Sequence, residues 1–327
     1  MRRTLFGLVI VVAAALIWWL ATEPSRTVRM GGGPQGGTFI VYSEGLAGLL
    51  RQKLPDLPIK VTGSGGSAAN LNDVEAGKVD IALVYAGDAY LASLGRLKHH
   101  PERLKNVLAL GRVYGSTAQL VVLKESRIKT PEDLVNRRVA IGSSGSGAAH
   151  SAERYFRILG IWDEIIPLFL GYDLAMKELT NRSADAVWQL VGAPSASIVA
   201  TNRKHPLRLI DLLELAEQSD FLLEYPFYTS VSIPAGTYFG QLQPVESFQD
   251  NALLVVHAET NPQLIATTLR LLYSPQGKEQ MSRIHPVGKD LDLHKGLQGI
   301  QIPLHPEAIK FWREQGMLKE DSKQGEG

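Results

Sequence analysis

The sequence contains no cysteine among its 327 residues. That absence excludes disulfide bonds, thiolate catalysis, lipid attachment through cysteine and cysteine-based metal or iron–sulfur sites. A charge excess of one sign is also lacking, because the net charge is +1, and composition therefore indicates no nucleic-acid partner. What remains, with 45% hydrophobic residues, is typical of a globular protein, and the length suggests two domains.

The N-terminus holds the one long apolar run of the sequence. Arg2 and Arg3 precede an uncharged stretch over residues 4–21, and a basic start before an apolar stretch is typical of an export signal. Cleavage after the stretch would place the bulky Trp19 where a small residue is needed, whereas the length is close to the about 20 residues of a membrane span. We expect residues 1–26 to be a signal peptide or, in preference, an uncleaved anchor. The protein would then lie in the periplasm or on the outer face of the cytoplasmic membrane.

A strand, a turn rich in glycine and serine, and an amphipathic helix follow one another three times, with turns at residues 31–38, 63–67 and 142–147. The first N–H groups of a helix lack an intrahelical partner, and the helix dipole makes that end positive. Three such ends in one cleft would hold a small anion without needing an arginine. One cluster of this kind is as easily a simple connecting loop, but the repetition favours a binding role.

The order of elements predicts an α/β fold with two lobes. Residues 28–85 alternate strand and helix, as at the start of an open sheet, and Asp185–Trp188 repeats the pattern of Asp80–Leu83. A later strand at residues 252–257 would return the chain to the first lobe. The expected domains are lobe one at 27–116 plus 227–318, lobe two at 117–226, and a flexible tail at 319–327.

Catalytic and cofactor motifs are incomplete. Residues 31–36 match Gly-x-Gly-x-x-Gly, but no acidic residue ends the second strand to hold a ribose. Ser144 or Ser146 with His150 would suggest a nucleophile and a base, but the Gly-x-Ser-x-Gly elbow is absent, and we interpret His150 as a helix-surface residue. The histidines also lack the spacing of a metal site. The sequence therefore predicts no catalytic residue, no cofactor and no metal.

Motifs along the chain resemble those of the TAXI family of solute-binding proteins of TRAP transporters, over residues 28–318. In order, they are Gly36-Gly37-Thr38, Ser64-Gly65-Gly66-Ser67, Val79-Asp80-Ile81-Ala82, Gly142 with Gly145-Ser146-Gly147, Gly192-Ala193-Pro194, Ile233–Gln241 and Pro303–Pro306. The resemblance implies a two-lobed periplasmic-binding-protein-like fold of type II with two crossover strands. It implies a small carboxylate ligand in the cleft, either an organic acid or an amino acid such as glutamate, and integral-membrane TRAP permease subunits as partners.

The expected ligand-binding residues follow from the turns and from aromatic residues beside the motifs. They are Gly36, Gly37, Thr38, Ser64, Gly65, Gly66, Ser67, Tyr85, Ser144, Gly145, Ser146, Trp188, Gly192 and Tyr238. The three aromatic residues are as well explained as core residues. Arg112 and Arg182 are candidates for a carboxylate clamp by position only. A bulky residue at position 145 is expected to abolish binding.

The sequence departs from the family pattern at two places. Phe39 and Ile40 stand where the family often has paired tyrosines, and Glu307 stands where a glycine is usual. The first departure removes phenolic hydroxyls near the cleft. Two other readings of the chain stay open: a membrane-anchored sensor or presenter on the same fold and, ranked last, an enzyme on that fold.

Overall fold

The computed structural model describes residues 27–98 and 102–319. The predicted anchor and the predicted tail beyond Lys319 lie outside the described residues. Within the described ranges, no helix has the length and apolar character needed to cross a bilayer.

The chain is an alternating α/β structure, as the sequence predicts. The first elements are β1 (Val28–Gly31), α1 (Thr38–Lys53), β2 (Ile59–Thr62), α2 (Ser67–Glu75), β3 (Ile81–Tyr85), α3 (Ala86–Ser93) and β4 (Val107–Leu123). The middle elements are β5 (Arg138–Ala140), α4 (Gly147–Ile158), β6 (Ile166–Leu168), α5 (Tyr172–Thr180), β7 (Ala186–Val191), α6 (Ala196–Asn202) and β8 (Leu207–Ile210). The last are α7 (Leu213–Gln218), α8 (Phe221–Glu224), β9 (Thr229–Ile233), β10 (Val245–His257), α9 (Pro262–Leu272), α10 (Pro275–Ile284) and α11 (Pro306–Glu314).

Two long strands, β4 and β10, connect the halves of the molecule. The sheet order is β2-β1-β3-β10-β4-β7-β5-β6, with β8 paired to β4 and β9 paired to β10. β1 to β3 are parallel on one side, β5 to β7 are parallel on the other, and β4 and β10 run antiparallel between them. We call β1 to β3 with their helices and α9 to α11 the first lobe, and β5 to β9 with their helices the second lobe.

The two lobes share a local ion pair that shows they are built alike. In the first lobe, the Asp80 carboxylate accepts hydrogen bonds from the backbone N–H and guanidinium of Arg29, with Nη2 at 2.6 Å from Oδ1. In the second lobe, Asp185 accepts the equivalent bonds from Arg138, with Nε at 3.1 Å from Oδ2. Each pair joins the start of one strand to the residue before the next parallel strand, so each lobe has the same strand–helix–strand frame.

The contacts of β9 and the hairpin that follows bear on the lobe boundary. β9 pairs with Val245–Gln249 of β10, and the Tyr238 hydroxyl accepts a hydrogen bond of 2.7 Å from the Ser195 N–H in the second lobe. The lobe division stays a proposal, and these contacts favour a return of the chain to the first lobe near Gln249 over a return at residue 227.

Candidate functional site

The three Gly/Ser turns meet between the lobes. A β-carbon on Gly66 would lie 3.7 Å from the Ser146 β-carbon and 3.8 Å from the Pro34 δ-carbon. The second turn therefore contacts the first turn in its own lobe and the third turn in the other lobe. The turns meet because each follows the carboxyl end of a parallel strand, and those ends face the gap between the lobes.

The cleft between the lobes contains about 410 Å³ of empty space, part of it open to solvent. Residues of both lobes line this space. The lobes are therefore in close contact. The cleft is lined by Pro34, Gly37, Thr38, Phe39, Gly65, Gly66, Ser67, Tyr85, Tyr114, Ser143, Ser146, Gly147, Ala148, Gly171, Tyr172 and Val191, none of which is charged.

Several helices begin at the cleft without a side-chain cap. α1, α2 and α5 start after Gly37, Gly66 and Gly171, and none of these residues supplies a side-chain hydrogen bond to the first turn. Glycine at these positions leaves first-turn N–H groups without an intramolecular side-chain acceptor. The cleft therefore presents uncapped N–H donors at the positive ends of helix dipoles, an arrangement that favours an anion.

Hydroxyl groups in the lining are arranged to donate hydrogen bonds. Ser67 Oγ accepts the Tyr85 N–H at 2.9 Å, and Ser146 Oγ accepts the Ala149 N–H at 3.1 Å. Each serine therefore keeps its proton for another acceptor. Thr38 Oγ1 is buried and has no hydrogen-bond partner among the described residues. A buried unpaired hydroxyl is costly in a native fold, so Thr38 Oγ1 is suited to pair with an acceptor that enters the cleft.

Tyr114 adds a further unpaired donor at the cleft. Its hydroxyl is fully buried, and the nearby Ser116 hydroxyl does not meet hydrogen-bond geometry with it. Burial raises the pKa of Tyr114 well above its ordinary value, so the phenol stays neutral and keeps its proton. In contrast, the Tyr85 and Tyr172 hydroxyls both donate to the Leu190 carbonyl oxygen.

A buried ion pair joins the lobes behind the cleft. Arg154 Nη2 of α4 lies 2.9 Å from Asp88 Oδ1 of α3, and His150 Nδ1 lies 3.6 Å from the same oxygen. Burial opposes ionisation of Asp88, but Arg154 and His150 outweigh it and hold the pKa of that carboxyl below its usual range. The expectation that His150 lies on the helix surface is wrong, because its face of α4 packs against α3 and leaves it 6% exposed.

The predicted site residues divide into three groups. Those that line the cleft are Gly37, Thr38, Gly65, Gly66, Ser67, Tyr85 and Ser146. Three others support the cleft from behind: Gly36, Ser64 and Gly192. Gly36 contacts Asp173, and Gly192 contacts Thr38. The Ser64 hydroxyl donates to the Gly32 carbonyl and accepts from the Gly66 N–H. Ser144 is exposed, and Gly145 has a φ of +68° with no atom within 4 Å of an added β-carbon. A side chain at position 145 would therefore strain the turn without meeting a neighbour, and the loss of binding expected there stays a prediction.

Trp188 and Tyr238 do not line the cleft, which corrects the expectation that they contact the ligand. The Trp188 ring is fully buried, packs against Tyr155 at 5.4 Å, and donates from Nε1 to Ser151 Oγ at 2.9 Å. Tyr238 is buried in the second lobe, where its hydroxyl donates to Gln119 Oε1 at 2.5 Å. Both side chains already have polar partners in the core, which leaves them nothing to offer a ligand.

Neither candidate arginine reaches the cleft. Arg112 is buried in the first lobe, with Nη2 at 2.6 Å from Asp290 Oδ2 and Nε bonded to Asn251. The Arg182 side chain is 72% exposed and pairs with Glu125 on the surface. The described cleft lining thus contains no arginine, and an anion site formed by the three helix starts stays a prediction.

Several lining residues were not predicted from sequence. Ser143, Gly171, Tyr172 and Val191 come from the ends of β5, β6 and β7, and Tyr114 comes from β4. Gly171-Tyr172 at the start of α5 repeats the glycine-before-helix signal in a shorter form. Tyr114 carries no local signal, because its position depends on how β4 crosses between the lobes.

Comparison with solved structures defines the fold class. A protein assigned as an L-cystine ABC transporter from Listeria monocytogenes is similar with a TM-score of 0.51 and 17% identity, over 81% of this chain and 98% of that one. A structure described as a periplasmic transporter is similar with a TM-score of 0.51 and 15% identity, over 90% and 93%. The fold is the two-lobed, α/β periplasmic-binding-protein-like fold of type II, as expected. The chain belongs to the NMT1-like family, whose model matches residues 30–316.

Proposed function

We propose that the protein is the extracytoplasmic solute-binding subunit of a TRAP-type transporter. It captures a small carboxylate between its lobes and delivers it to integral-membrane permease subunits. The observation that carries the proposal is the meeting of uncapped helix starts and unpaired buried hydroxyls in a cleft with no charged lining residue. The family and the fold support a solute-binding role, and the motif resemblance to TAXI proteins is what favours the TRAP type.

Binding follows from the donors that face the cleft. A carboxylate would accept hydrogen bonds from the first N–H groups of α1 and α2 and from the hydroxyls of Thr38, Ser67 and Ser146. Hydrogen bonds to a charged group contribute about 1.5–3 kcal/mol each, so a few of them suffice for tight binding without an arginine. Because these donors come from both lobes, the ligand stabilises the closed arrangement.

The type of transporter is tested by the energy source of uptake. Deletion of the gene should abolish uptake of the ligand by intact cells. Uptake in the parent strain should stop when ionophores dissipate the ion gradients and should persist in vanadate. Uptake that resists ionophores and stops in vanadate contradicts the TRAP assignment and favours an ATP-driven partner.

A membrane-anchored sensor on the same fold is the second candidate, favoured by the apolar run at residues 4–21. In that case, deletion leaves uptake unchanged but abolishes a ligand-dependent response. The ligand itself is to be identified by native mass spectrometry of full-length protein purified in mild detergent without refolding. A chemical change in the released ligand on incubation with the protein contradicts both candidates, since neither is an enzyme.

A further inference from the structure

We infer that the cleft selects a monocarboxylate whose remainder carries neither an ammonium group nor a second acid group. This inference deepens the proposed function and rests on it. It separates the two ligand classes that the family resemblance leaves open, organic acids and amino acids such as glutamate.

The first observation concerns the ammonium group. A cation needs acceptors, whereas the helix starts at the cleft present N–H donors at the positive ends of dipoles. The two nearest carboxylates do not line the cleft. Asp88 lies behind the backbone of Gly147, where its charge is balanced by Arg154 at 2.9 Å from Oδ1 and its Oδ2 has no hydrogen-bond partner among the described residues. Asp173 is exposed and lies against Gly36 without entering the lining. An ammonium group would be buried in this cleft without a counter-charge, which is strongly unfavourable.

The second observation concerns a further acid group. Phe39, Tyr85, Tyr172 and Val191 form an apolar part of the lining, with the Phe39 and Tyr85 ring centroids 4.8 Å apart. The hydroxyl protons of the two tyrosines are already donated to the Leu190 carbonyl. These four side chains offer a second carboxylate neither a cation nor a free donor, whereas an apolar remainder would bury its surface against them.

The third observation concerns two packed tyrosines, only one of which lines the cleft, so that a matched pair of substitutions tests the role of a cleft hydroxyl. Tyr114 and Tyr42 are both fully buried, their rings pack at 5.1 Å, and neither hydroxyl has a hydrogen-bond partner among the described residues. Only Tyr114 lines the cleft. Removal of each hydroxyl therefore separates an effect on ligand from an effect on the core.

The experiment is titration calorimetry on the dialysed full chain in mild detergent with four probes of similar size. Isocaproate is the monocarboxylate, L-leucine adds an ammonium group to the same skeleton, adipate adds a second acid, and isocaproamide removes the charge. We expect isocaproate to bind at least about tenfold tighter than each of the other three, a difference of about 1.4 kcal/mol. We also expect Tyr114→Phe to weaken the binding of isocaproate by about tenfold and Tyr42→Phe to leave its affinity unchanged.

Each outcome has one meaning. L-leucine or adipate binding as tightly as isocaproate overturns the inference while leaving carboxylate binding intact. Isocaproamide binding as tightly as isocaproate contradicts the proposed carboxylate function itself. No binding by any probe overturns the inference, because it predicts that a monocarboxylate with an apolar remainder binds. An equal loss in Tyr114→Phe and Tyr42→Phe overturns the role given to the Tyr114 hydroxyl.

Discussion

At the scale of single residues, Gly147 decides how closely the lobes approach. It is the first residue of α4, and a β-carbon there would clash with the Tyr85 ring and lie 2.5 Å from Asp88 Oδ2. Tyr85 and Asp88 belong to the first lobe, so glycine is required for α4 to dock against it. A side chain at this position would hold the lobes apart.

We therefore predict that Gly147→Ala weakens ligand binding by at least about tenfold, because about 1.4 kcal/mol of closing energy is easily lost to such a clash. Gly48→Ala is the matched control, since Gly48 lies within α1 and its β-carbon would meet nothing within 4 Å. Titration calorimetry of both variants with the co-purifying ligand measures the effect. Equal affinities would mean that the cleft does not close through this contact.

Asp250 gives a prediction about pH. Burial and the charge of Asp88 raise its pKa from 3.8 to about 8, although the Gly87 N–H and Arg154 favour ionisation. Between these two values the folded state holds a proton that the unfolded state has lost. The stabilising contribution of the protonated group is therefore complete at acidic pH and is lost as pH rises towards 8, with a slope of up to about 1.4 kcal/mol per pH unit.

Asp250→Asn is neutral at every pH and retains an acceptor for the Gly87 N–H. Urea unfolding of the variant should show a flatter pH profile than the parent between about pH 4 and 8, with its largest relative gain near pH 8. Parallel profiles for the two proteins would show that Asp250 ionises normally in the fold.

Local sequence signals identified the polar residues of the site better than its aromatic ones. Thr38, Ser67 and Ser146 were predictable because a helix start is a local feature. The prediction that Trp188 and Tyr238 line the cleft was wrong because the direction of an aromatic side chain depends on its neighbours in the fold. Here those neighbours include the hydrogen-bond acceptors Ser151 and Gln119. Nothing in the local sequence reveals those neighbours.

At the scale of elements, α3 and α4 are held together across the lobes by the buried Asp88–Arg154 pair. Loss of one partner of a buried pair leaves the other charge uncompensated. We predict that Arg154→Met lowers the free energy of unfolding by about 3–5 kcal/mol. Arg157→Met, on the same helix, removes the ion pair between Arg157 and Glu153. Because the Arg157 side chain is 50% exposed, this change should lower the free energy of unfolding by less than about 1 kcal/mol.

Urea unfolding of the two arginine variants measures this difference. A double-mutant cycle with Asp88→Asn then isolates the coupling between Asp88 and Arg154. Equal stabilities for the two arginine variants, or no coupling in the cycle, would contradict a stabilising contact between α3 and α4.

The local pattern predicted the order of the elements, but it did not predict the continuity and pairing of the two crossing strands. The sequence suggests separate strands at residues 107–113 and 119–123, whereas β4 is continuous over Val107–Leu123. Gly115, Ser116 and Thr117 are small residues that suggest a hinge, yet they pair with β10 at Asn251, Asp250 and Gln249. That pairing spans about 130 residues of sequence, so local pattern does not indicate it. A hinge at residues 114–118 stays a prediction.

At the scale of the whole molecule, the proposed function requires the two lobes to close on one small acid. The structure has them in contact, through the Gly66–Ser146 approach and through Lys98 Nζ at 2.9 Å from Glu153 Oε1. In the absence of ligand, the uncapped helix ends and the unpaired hydroxyls of the cleft favour hydration, which opposes closure. The ligand replaces that water and shifts the population towards the closed form.

The absence of native cysteine allows this claim to be tested directly. Gln52 on α1 and Lys177 on α5 are exposed and belong to different lobes. Spin labels on a Gln52→Cys, Lys177→Cys double variant therefore report the distance between the lobes by pulsed electron paramagnetic resonance. We predict that the distances between the two labels become shorter and their distribution narrower when the co-purifying ligand is added to saturation. A distribution that is the same with and without bound ligand would contradict it.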